Sequence, residues 1–74
     1  MYHRLHFRES RELDMQIPGR PRLEQVKVRK GDVIEAFVRP YVQETDAGPV
    51  EMADLALGDD GTLLAVPMEW FRFV

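Results

Sequence analysis

Three side chains of the kind that bind metal ions come early in the chain, His3, His6 and Glu9, in an H-x-x-H-x-x-E spacing. On a helix that spacing gathers all three on one side and could hold a divalent cation. On a strand, where side chains alternate faces, His3 and His6 part company. The surrounding residues favour the strand, because Leu5 and Phe7 alternate with Arg4, His6 and Arg8. Nucleophilic chemistry finds no better footing: Ser10, the only serine, sits between Glu9 and Arg11 with no glycine elbow beside it. Asp54, Asp59 and Asp60 offer carboxylates, but the last two belong to turn chemistry. Acid-base catalysis also needs a cleft that so short a chain seldom forms. With no cysteine there is no thiolate metal site, disulfide or cysteine nucleophile. These patterns predict a protein that is not an enzyme, with no catalytic residues, bound metal, cofactor or small-molecule substrate.

Two sets of residues could instead carry binding. Arg20, Arg22, Lys27, Arg29, Lys30 and Arg39, with Phe37 and Tyr41 nearby, could meet phosphates with cations and bases with rings, as single-stranded nucleic acid requires. Glu24, Asp32 and Glu35 interrupt that set, and the overall charge is −3. The charge is uneven: residues 1–39 hold nine basic and six acidic side chains, whereas 40–74 hold one basic and seven acidic. Such polarity suits self-association or a charged partner. The second set is Trp70, Phe71, Arg72 and Phe73, which with Tyr41 supplies the aromatic and arginine chemistry of protein interfaces. Alternation sends some of these rings into a core and leaves others outside. Arg4 and Arg8 form an R-x-x-x-R similar to that of the cyclic-dinucleotide-binding PilZ family. The companion Asp-x-Ser-x-x-Gly is missing, since the chain around Asp54 reads Asp-Leu-Ala-Leu-Gly, and the assignment is rejected.

The elements that must position these residues read as short strands. Pro49 to Val74 is the most explicit stretch, two apolar runs around Gly58-Asp59-Asp60-Gly61 that predict a hairpin. With Asp60-Gly61 as the turn, Leu57 faces Leu64, Leu55 faces Val66, Ala53 faces Met68 and Glu51 faces Trp70. A three-residue loop, Asp59 to Gly61, would set Asp54 opposite Val66 instead. Pro67 cannot donate to a ladder, so the second strand ends or meets an edge there, with a turn around Pro67 to Phe71. Upstream, Leu13, Met15 and Ile17 alternate with polar residues, and the Pro18 to Arg22 stretch is a loop. A strand over Leu23–Val28 and a Lys30-Gly31-Asp32 turn follow. The longest strand candidate is Val33–Val42, with Ile34, Ala36, Val38 and Val42 on one face and Val33, Phe37 and Tyr41 on the other.

Four to six short strands in 74 residues predict an all-β domain, a small barrel or strongly bent antiparallel sheet. The single domain spans 1–74, with 1–22 as N-terminal strands plus the Pro/Gly/Arg loop and 23–74 as barrel core. The phrases Arg29-Lys30-Gly31-Asp32-Val33-Ile34-Glu35-Ala36 and Leu57-Gly58-Asp59-Asp60-Gly61-Thr62-Leu63-Leu64-Ala65-Val66-Pro67 resemble the strand and hairpin pattern of Tudor- and KOW-type barrels, the Src-homology-3-like architecture. That resemblance, over about residues 26–74, implies binding of peptides, modified side chains or nucleic acid. A methyl-lysine cage does not map onto these aromatics. A core this small supplies only about 3–5 kcal/mol of net stability, so a protein partner or a homodimer is expected. The expected role is a protein–protein interaction module, an adaptor, regulatory subunit or inhibitor-like protein, with single-stranded nucleic acid as the alternative ligand. No apolar run nears the ~20 residues of a membrane-spanning helix, no signal peptide is apparent, and a cytoplasmic location is expected.

Overall fold

The computed structural model describes residues 2–74. Seven strands form in chain order: β1 (Tyr2–Phe7), β2 (Arg11–Gln16), β3 (Glu24–Val28), β4 (Val33–Thr45), β5 (Gly48–Ala56), β6 (Thr62–Pro67) and β7 (Phe71–Phe73). They pair antiparallel in one sheet, ordered β3-β2-β6-β5-β4-β1-β7 and curled into a half-barrel. Seven strands replace the expected four to six. The N-terminal segment is two strands hinged at 8–10, and the chain resumes as a strand after the 3₁₀ turn Met68–Trp70. Among the described residues no helix is long and apolar enough to cross a membrane.

Period-two alternation decides what lies inside the curl. Leu5 and Phe7 of β1, Leu13 and Met15 of β2, Val28, Ala36, Ala53, Leu55, Leu63, Val66 and Phe71 form one buried cluster. The N-terminal strands are thus integral to the core: β1 lies between β4 and β7, and β2 between β3 and β6. Backbone bonds from Arg8 to the Trp70 carbonyl (2.9 Å) and from Gly31 to the Phe7 carbonyl (2.9 Å) carry the β1–β7 and β1–β4 ladders one step past the strand ends.

The β5–β6 hairpin forms, but with neither expected register. Ala56 faces Thr62 and Leu55 faces Leu63, after which Ala53 faces Val66 and Met52 faces Pro67. The connection runs over residues 57–61, closed by Leu57 N–H donating to the Gly61 carbonyl at 2.7 Å, with Gly58–Asp60 as a 3₁₀ turn. The register shifts between Ala53 and Leu55, so Leu64 and Ala65 together stand opposite Asp54 in a β-bulge. Ala65 takes a left-handed φ of 53°, and the Asp54 carboxylate accepts its N–H at 3.0 Å. The extra residue lets Leu63 and Val66, three apart, both face the core, where strict alternation would have chosen Leu64.

The feature that matters most for function is the length of β4 and β5. Among the described residues β4 leaves its pairing with β1 after Phe37, and β5 leaves β6 after Met52. Beyond those points the two strands continue as a two-stranded arm to Thr45 and Gly48, where the Thr45 hydroxyl donates to the Gly48 carbonyl at 2.7 Å.

Candidate protein-contact site

The arm begins where the core stops supporting it, and every β4 residue from Arg39 to Thr45 is exposed. Its two edges are not equivalent to ordinary sheet edges. Antiparallel pairs alternate between hydrogen-bonded and non-bonded classes. Pro40, opposite Ala53, and Pro49, opposite Glu44, fall in the same class. Having no N–H to give the ladder, both must be non-bonded residues whose ring nitrogens face the open edges. Pro40 therefore blocks any strand that would continue β1, and Pro49 does the same beside β5. The arm must be met through its side chains.

On the core-side face of the arm those side chains line a shallow groove. Pro40, Val42 and Glu51, with Met68 from the 3₁₀ turn, enclose an open volume of about 360 Å³, which Tyr41, on the other face of β4, borders from the strand. A neighbouring hollow of about 480 Å³ adds Pro49, Val50 and Glu69 and shares Glu51 and Met68 with the first. The floor is apolar, with Val42 60% exposed, and the rim is acidic. Among the described residues neither Glu51 nor Glu69 takes part in a salt bridge. A desolvated aliphatic side chain would gain from the floor, and a neighbouring lysine or arginine from the rim.

The structure distributes the residues singled out in the sequence. Tyr41 borders the groove from β4, on the outer face it shares with Phe37 and Arg39. Trp70 is half-buried beneath the Arg11 guanidinium, which lies 4.7 Å from the ring centroid. Phe71, 3% exposed, packs edge-on against Phe7 in the core and offers no surface to a partner. Phe73 is half-exposed on edge strand β7, against His3 (ring centroids 5.3 Å apart), and Arg72 stands opposite His6 on the other face. His3 and His6 thus lie on opposite sides of β1, the strand arrangement that separates potential ligands.

The basic set is split as well. Arg20 is paired with Glu24, Arg22 is exposed in the β2–β3 loop, Lys27 points outward from β3, and Arg29 and Lys30 occupy the β3–β4 turn. Arg39 stacks on Phe37 at 5.9 Å on the outer face of β4, which the sheet order separates from β3 by β2, β6 and β5. Pro40, Val42, Pro49, Glu51, Met68 and Glu69 are the groove residues that sequence reasoning missed. A signal for them existed: prolines at 40 and 49, one in each of two successive apolar stretches, mark strands with free edges. Comparison with family models, curated proteins and solved structures returns no match to this chain.

Proposed function

We propose that the protein works by contact alone, as a protein–protein interaction module of the adaptor, regulatory-subunit or inhibitor type. Its groove beneath the β4–β5 arm receives an aliphatic side chain flanked by lysine or arginine on the partner. The observation that carries this reading is an apolar floor of Pro40, Val42 and Met68 bordered by Glu51 and Glu69, on an arm whose proline-blocked edges refuse an added strand. Composition agrees, since residues 40–74 hold seven acidic and one basic side chain. The resemblance to Tudor-, KOW- and Src-homology-3-like barrels supports it too, because such barrels generally act by binding.

The test is a titration of the ¹⁵N-labelled chain with short peptides in which one leucine is flanked by lysines. Resonance shifts are expected at Val42, Glu51 and Met68, to weaken as salt rises and to vanish in Val42→Glu. A glutamate-flanked control should leave the spectrum unchanged. Equal binding of both peptides, or shifts confined to the outer face around Phe37 and Arg39, would refute the assignment. Shifts on that outer face with a single-stranded oligonucleotide, and none with peptide, would instead favour the nucleic-acid reading.

A further inference from the structure

Taking the acidic groove as the binding site, we infer that its occupant is a second copy of this chain, contributed through the β2–β3 loop. That loop has the chemistry the groove lacks. Pro18-Gly19-Arg20-Pro21-Arg22-Leu23 is a turn fastened by Arg20 N–H donating to the Ile17 carbonyl at 3.1 Å, with every residue from Pro18 to Leu23 exposed. The Arg20 guanidinium is held by Glu24, which leaves Arg22 as the loop's unpaired cation among the described residues. Beside it Leu23 holds an aliphatic side chain 52% exposed, a large apolar group outside the core cluster. Two prolines reduce the freedom this loop would lose on docking.

The loop cannot reach the groove of its own chain. Gln16, at the loop's entrance, pairs with Thr62 at the start of β6, whereas the groove begins at Met68, just beyond Pro67 at the other end of that strand. The five steps of extended chain from Thr62 to Pro67 alone set these points about 17 Å apart. The short turn from Ile17 to Arg20 holds the loop at its own end of β6. Loop and groove can therefore meet only between molecules. A two-fold axis places each loop on the other copy's groove, so one contact is made twice and both grooves are filled. A closed pair of this kind is the commonest symmetric assembly. In it Leu23 seats on Val42 and Met68, and Arg22 faces Glu51. The charge difference between residues 1–39 and 40–74 thereby becomes complementary across the interface.

Multi-angle light scattering and sedimentation of the intact chain, at low and high salt over micromolar to millimolar concentration, read this directly. The mass should rise with concentration to twice 8.6 kDa and stop there, with high salt favouring the monomer. Arg22→Glu and Glu51→Lys, both at exposed positions, should each weaken association at least tenfold while leaving the melting curve of the dilute monomer unchanged. The double variant Arg22→Glu/Glu51→Lys restores the pair in reversed sense and should recover most of the lost affinity. Leu23→Ser should also weaken the dimer and shift its salt dependence little. A monomer at every concentration, growth past two copies, or a double variant as weak as the sum of its single changes would overturn the inference. If the chain stays monomeric yet lysine-flanked peptides still shift Val42 and Glu51, self-recognition fails and the peptide-binding reading stands. If neither occurs, both fall.

Discussion

Gly61→Ala should cost this protein most of its stability, and the cost can be assembled from two separate terms. Gly61 has φ 130° and ψ −167°, a region that essentially only glycine occupies, and forcing alanine there costs about 1–3 kcal/mol. The second term is steric. A methyl group at Gly61 would lie 2.5 Å from the Gln16 carbonyl oxygen, a backbone atom of β2 held in register by Thr62. Neither strand can withdraw without parting the β2–β6 ladder, and overpacking of this kind costs about 1–3 kcal/mol more. Together about 2–6 kcal/mol is at stake, against the ~3–5 kcal/mol that a single core of this size supplies. Gly31→Ala provides the internal control. Gly31 also has positive φ (90°), yet an added methyl meets nothing within 4 Å, so only the backbone term applies. Urea unfolding followed by Trp70 fluorescence measures both variants. Gly61→Ala should exceed Gly31→Ala by at least about 1 kcal/mol. Equal losses, or a loss at Gly61 below about 1 kcal/mol, would show that β2 and β6 do not meet at Gln16 and Thr62.

The C-terminal rings should separate cleanly: Phe71→Ala, in the core, is expected to cost about 3–5 kcal/mol and leave little folded protein by circular dichroism. Phe73→Ala, half-exposed on β7, should cost under about 1.5 kcal/mol. Asp54→Ala removes the acceptor for the Ala65 N–H in the β6 bulge and should lose about 1–2 kcal/mol in urea unfolding, with Asp54→Asn recovering most of it because an amide oxygen still accepts.

Much of the fold was legible because its signals are local. Leu5 and Phe7, Leu13 and Met15, and Val26 and Val28 announce by spacing alone which face turns inward, and the structure agrees at each strand; β4 read as apolar on both faces, and the structure turns Ile34, Ala36 and Val38 inward. The turns at Pro18 to Arg22 and around Gly31 follow from residues that cannot continue a ladder. The β5–β6 register was not legible. It depends on a carboxylate from β5 capping an amide in β6, eleven positions away, and no period in the sequence records that exchange. The groove was missed for a related reason: Val42 sits on the same face as Ala36 and Val38, and alternation cannot tell that the core ends between Val38 and Val42.

By itself, then, the order of residues determined that this chain is all-β, which side chains β1, β2 and β3 turn inward, and that its charge is divided between two halves. Tertiary structure alone decided that there are seven strands in this order, that Phe71 is buried while Phe73 is not, and that β4 and β5 outrun their neighbours. The reason is physical. Alternation and turn chemistry act within a few residues of backbone, whereas burial depends on whether another strand lies alongside, and beyond Phe37 and Met52 none does among the described residues. At that boundary an inward-facing residue stops being core and becomes a surface for another molecule.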